Sequence, residues 1–122
     1  MASKTIAIIG ASGDRRKYGN KAVRAYLAEG YTVYPVNTNE ATIEGLQVYR
    51  SVADIPGEIE RVSLYLHPEA GLTVLDDIVN KRPKEVFLNP GSESPELVAR
   101  ARALGLNVIA VCSILAIGQI PD

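Results

Sequence analysis

Residues 6–13 read Ile6-Ala7-Ile8-Ile9-Gly10-Ala11-Ser12-Gly13, and the basic triplet Arg15-Arg16-Lys17 follows at once. The four apolar residues fit a buried strand. The glycine-bounded stretch after them fits a tight turn. A helix entered from such a turn points its first N–H groups back at it, and those groups with the helix dipole favour an anion. The segment therefore predicts a parallel sheet with helices and, at Gly10–Gly13, a site for a phosphate or pyrophosphate.

The rest of the chain repeats the alternation. Strands are predicted over Thr5–Ile9, Thr32–Val36, Val62–Leu66, Glu85–Leu88 and Asn107–Val111, with a short extra one at Leu46–Tyr49. Helices are predicted over Asn20–Glu29 and Glu69–Lys81 and after Ser94. The first buries Val23, Tyr26 and Leu27 and stops at Gly30. The second buries Leu72, Leu75, Ile78 and Val79. The third has Ser94 as N-cap and Pro95 at its first position, turns Leu97, Val98, Ala101 and Leu104 inward, and stops at Gly105. Alternating strands and helices imply an α/β domain, a five-stranded, mainly parallel, doubly wound Rossmann-like sheet with helices on both faces. Right-handed crossovers suggest the order 3-2-1-4-5. A crevice is then expected between strands 1 and 4, flanked by Gly10–Tyr18 and Asn89-Pro90-Gly91.

Bulk properties narrow the class. With 122 residues, 47% of them apolar, the chain is read as one domain over 1–122 with enough material for a core. A net charge of −1 argues against a general nucleic-acid or membrane-surface binder. No apolar run approaches the ~20 residues that span a bilayer. Met1-Ala2-Ser3-Lys4 leads straight into the first strand, leaving no room for a signal peptide. Cys112 is the sole cysteine, so no internal disulfide is expected. A cytoplasmic protein is the expectation.

The nucleotide is less sharply indicated. The dinucleotide fingerprint G-x-G-x-x-G, with an acid about 20 residues on, is incomplete. Ser12 stands at its second glycine, no glycine lies two residues after Gly13, and Asn37 rather than an acid ends the second strand. A Walker A loop is absent. An NAD(P)-binding protein or oxidoreductase stays open as the second reading, and a ligand-free interaction module as the third.

Ile8-Ile9-Gly10-Ala11-Ser12, Lys17-Tyr18-Gly19-Asn20, Tyr34-Pro35-Val36-Asn37, Gly45 and Asp54-Ile55-Pro56 stand in an order that resembles small stand-alone CoA-binding proteins of the succinyl-CoA synthetase alpha-subunit type. Leu64-Tyr65-Leu66-His67-Pro68-Glu69, Asn89-Pro90-Gly91-Ser92 and Val111-Cys112 continue the likeness over nearly the whole chain. The resemblance implies a Rossmann-like fold that binds coenzyme A or acyl-CoA, a nucleotide ligand. It does not imply catalysis, because the synthetase's phosphohistidine comes from a second domain. A protein partner or a homo-oligomer is compatible with such a module.

On this reading the pyrophosphate lies at Gly10, Ala11, Ser12 and Gly13. Lys17, with Arg15 or Arg16, answers phosphate charge, Arg as a bidentate donor and Lys as a point charge. Tyr18 packs under the loop or stacks on the ligand. Val36 and Asn37 sit by the adenosine, His67 and Pro68 form another wall, and Asn89, Pro90 and Gly91 line the pantetheine path. Structural roles compete at each position. The glycines turn the chain, the triplet is a solvated loop, Pro90-Gly91 is a turn, and Cys112 is a small buried apolar residue, or else faces the crevice near a CoA thiol. With one histidine and no second ligand at metal spacing, no catalytic or metal set is legible.

Overall fold

The structure is a computed structural model, and residues 4–121 are described. The reading of Met1–Ser3 as a leader-free start lies outside them. The elements in chain order are β1 (Thr5–Ile9), α1 (Tyr18–Ala28), β2 (Thr32–Val36), β3 (Thr42–Ile43), β4 (Leu46–Gln47), a 3-10 turn (Val52–Asp54), β5 (Arg61–Leu64), α2 (Pro68–Asn80), β6 (Glu85–Leu88), α3 (Pro95–Ala103), β7 (Val108–Ile109) and α4 (Ser113–Ala116).

β1 is buried from Ile6 to Ile9. A strand apolar at every position needs cover on both faces, and the two-residue period divides it accordingly. Ala7 and Ile9 join Val62, Leu64, Val86 and Leu88 under α2 and α3, through Leu75, Ile78, Leu97 and Ala101. Ile6 and Ile8 face the other way, onto Ala22, Val23 and Tyr26 of α1 and Ile114 of α4. Among the described residues no helix is long and apolar enough to cross a membrane.

All pairings in the main sheet are parallel, in the order β2-β1-β5-β6-β7. Outside β2, Tyr49 makes a single parallel bridge to Val36. With that bridge counted as the third strand, the sheet follows the expected 3-2-1-4-5 series and adds one more strand. The segment read from sequence as the third strand, Val62–Leu66, takes the fourth place as β5, beside β1. The order in which strands are added therefore reverses between β1 and β5, and the loop facing the glycine turn is Tyr65–His67. Asn89–Gly91, expected there, lies one strand farther. The reason is local: between β2 and β5 the chain spends its extended residues on the β3–β4 hairpin and leaves only Tyr49 in register with β2.

Element ends differ in smaller ways. α1 starts two residues early, at Tyr18, and Leu27 is exposed on its outer face. Leu72, Val79, Val98 and Leu104 are half-buried at the margins of their helices. The fifth strand shrinks from Asn107–Val111 to Val108–Ile109, with Val111 exposed. α3 begins as expected, Ser94 Oγ accepting the Leu97 N–H at 3.1 Å with Pro95 at the first position.

Candidate functional site

Gly10 turns the chain out of β1 with φ 92°, a conformation open to glycine. A side chain there would overlap the Tyr65 carbonyl, so the ends of β1 and β5 meet at this point. A side chain at Gly19 would overlap the Gly10 carbonyl. Gly19 thus lets the start of α1 press onto the turn, the packing role of the third glycine in dinucleotide folds. The sequence reading looked for that glycine two residues after Gly13 and missed it farther on.

The N-terminus of α1 carries no side-chain cap and no acid in its first turn. Among the described residues the N–H groups of Ser12, Tyr18 and Gly19 have no hydrogen-bond partner. Asn20, fully buried, fastens the loop above them. Its Nδ2 donates to the Ser12 carbonyl at 2.9 Å and to Glu44 at 3.0 Å, and its Oδ1 accepts from Arg24 Nε at 2.7 Å.

The basic triplet divides. Arg15 forks onto Glu44, with Nη2 at 2.9 Å and Nε at 3.3 Å. Arg16 forks onto Asp14 at 3.0 and 3.1 Å. Hydrogen bonds from Arg16 hold the Asp14 carboxyl down at about 2. Those from Arg15 first, and Asn20 next, bring Glu44 down to about 2. Lys17 is the member of the triplet with no acidic partner among the described residues, and it lines a cavity of about 630 Å³.

That cavity brings together Gly10, Ala11, Ser12, Lys17, Tyr18, Asn37, His67, Pro90 and Gly91 from the sequence-predicted set. Tyr18 is 56% exposed beside it, with Lys21 Nζ 4.9 Å from its ring centre, so it does not pack under the loop. The structure places five others elsewhere. Arg16 points outward on Asp14. Val36 lines a neighbouring cavity of about 240 Å³ that shares Gly10, Asn37 and Leu66 with the first. Pro68 is the first residue of α2 and borders a separate recess with His67. The N–H of Gly13 is occupied by both carboxylate oxygens of Glu40, at 2.9 and 3.1 Å. Asn89 is buried. Its Nδ2 donates to Ser63 Oγ at 2.8 Å and to the Leu64 carbonyl at 2.7 Å, and its Oδ1 accepts the Ser113 N–H at 2.8 Å. It also borders a third cavity, about 270 Å³, walled by Tyr18, Tyr65, Pro90, Cys112 and Leu115. Cys112 is half-buried there rather than enclosed in the core.

Asn37 acts on the turn itself. Its Nδ2 donates to the Ala11 carbonyl at 2.8 Å, while its Oδ1 accepts the N–H groups of Asn39 and Glu40 at 2.7 and 3.0 Å. Sequence reasoning missed Asn39, Glu40, Tyr65, Leu66 and Ser92 among the lining residues. Tyr65 and Leu66 were within reach, since the strand expected over Val62–Leu66 ends in them; the structure closes β5 at Leu64 and leaves them in the loop after it. Burial pushes the Tyr65 phenol up to about 12, and its oxygen lies 3.2 Å from Ser113 Oγ.

A family model described as a CoA binding domain matches residues 4–119. The alpha subunit of an ADP-forming acetate–CoA ligase II from Pyrococcus furiosus is 32% identical over 117 residues, which cover 85% of this chain and 25% of that subunit. A hypothetical protein from Pyrococcus horikoshii OT3 superimposes with a TM-score of 0.86 at 31% identity, over 93% of this chain and 80% of that one. A dinucleotide-forming acetyl-coenzyme A synthetase from Ca. Korarchaeum cryptofilum, solved with phosphate and ADP, gives a TM-score of 0.76 at 30% identity, over 88% of this chain and 25% of that one. The chain therefore spans a quarter of the ligase subunit and of the synthetase.

Proposed function

The chain belongs to the CoA-binding domain family, and from that premise we propose that it binds coenzyme A or an acyl-CoA along the crevice between β1 and β5. One observation carries the reading: the α1 N-terminus is uncapped and acid-free and opens, with Lys17, which has no acidic partner among the described residues, onto the largest cavity of the site. Free N–H groups and a lysine together suit a diphosphate. The cavity at Val36 and Asn37 suits the adenosine, and Arg50, exposed on its wall, supplies a cation at that end for a further phosphate. The pantetheine arm would run past Tyr65–His67 and Pro90–Gly91 toward the cavity of Cys112 and Leu115. The proposed role is binding. His67, the chain's one histidine, is exposed, and no cluster that could hold a metal occurs among the described residues.

Thermal denaturation in the presence of CoA, dephospho-CoA, acetyl-CoA and NAD(P) tests this. A ligand at 100 times its Kd stabilises by about 2.7 kcal/mol, which for a domain of this size is on the order of 10 °C. CoA is expected to exceed dephospho-CoA. A larger shift with NAD(P) than with CoA would overturn the assignment, as would no shift with any of the four.

A further inference from the structure

We propose that Glu40 is a resident anion on the glycine turn, a built-in competitor that a phosphate-bearing ligand must displace, and therefore the residue that sets how tightly the turn holds one. The inference rests on the functional reading above. The Gly13 N–H lies at the end of the turn that a diphosphate would cover, and it already has an acceptor of the same charge and chemistry as a phosphate oxygen.

The contact is aimed by the local chain. Asn37 Oδ1 gathers the N–H groups of Asn39 and Glu40 and bends the segment back over the turn, while Asn37 Nδ2 holds the Ala11 carbonyl. The other acid of this excursion, Glu44, is fixed at the far end by Arg15 and Asn20. Glu40 differs from it. It lines the cavity, has no cationic partner among the described residues, and rests on the solvent-exposed Gly13 N–H with a long contact from Asn37 Nδ2 at 3.5 Å. The excursion is thus anchored at Asn37 and Glu44 and presents between them a carboxylate that is free to leave.

Two anions do not share one N–H. An arriving phosphate meets either an occupied donor or, if it settles on Ser12, Tyr18 and Gly19, a like charge next to it. In the first case the ligand binds only the fraction of molecules in which Glu40 has swung out, and in the second it binds against the repulsion; both lower the apparent affinity.

Glu40→Gln and Glu40→Ala test this by calorimetric titration with CoA and with inorganic pyrophosphate, beside the Gly13 amide signal in nuclear magnetic resonance spectra. Both variants are expected to bind at least about ten-fold tighter than the wild type, as for a competent state populated at about a tenth or less. Adding CoA to the wild type should move the Gly13 amide. If the wild type binds CoA and both variants, folded by thermal melt, bind no tighter, the role of Glu40 is overturned while CoA binding stands. If neither wild type nor variants bind CoA, the functional reading falls and takes this one with it.

Discussion

A methyl group at position 19 has no room, because the Gly10 carbonyl occupies its place. Gly19→Ala is expected to push α1 off the turn and to cost about 1–3 kcal/mol in urea unfolding, as overpacking does; a variant as stable as wild type would refute the tight approach. Lys17 lies at the opposite extreme, exposed and with no acidic partner among the described residues. Lys17→Ala should leave the melting temperature nearly unchanged and weaken CoA about ten-fold, the scale of one hydrogen bond to a charged group; calorimetry measures it. Lys17, expected beside a phosphate, lines the cavity. The turn at Gly10 was legible in the sequence because it follows from neighbours in the chain. Glu40 was not, since its contact with Gly13 spans 27 residues and no local pattern records it. Arg16, expected beside a phosphate, is paired with Asp14 two residues away.

The β3–β4 hairpin turns through Glu44 at φ 50° and Gly45 at φ 78°, the pair of left-handed residues that a two-residue hairpin turn needs. This turn aims the Glu44 carboxylate at Arg15, and so pins the hairpin to the loop before α1. Glu44 is held at about 2 against an ordinary 4.5. A carboxyl depressed in the folded state stabilises it fully above the ordinary value and ceases to do so as pH falls through the lowered one. Melting temperatures of wild type and Glu44→Gln should therefore differ at pH 7, converge as pH falls from about 4.5 through about 2, and coincide only below that; a gap that does not narrow between pH 4.5 and 2 would contradict this. Arg15 is exposed and Glu44 only partly buried, so salt will narrow the gap. The hairpin was foreseen only as a short strand at Leu46–Tyr49, because two-residue strands carry too little alternation to read. Helix starts were clearer at α3, where Ser94 and Pro95 mark the cap, than at α1, which begins at Tyr18 without a capping side chain.

Across the molecule, Asn89 links three elements, tying the end of β6 to β5 and to the first N–H of α4. Asn89→Ala would take the buried Ser113 N–H's acceptor away and remove the donor from Ser63 Oγ and the Leu64 carbonyl, Ser63 keeping Ser113 Oγ, and urea denaturation should register a loss of about 2–4 kcal/mol; a neutral result would show that the link is dispensable. The layered parallel sheet was legible because each strand is a short apolar run closed by a turn. The place of β5 beside β1 was not, because topology depends on which segment fails to become a strand. That failure also shapes the margins of the sheet. On one side the last full strand contains Pro35 and is bordered by Tyr49 alone; on the other, β7 is two residues long. Neither margin offers a ladder on which a neighbouring molecule could lay a strand of its own. Growth of the sheet from copy to copy is thereby disfavoured at both ends.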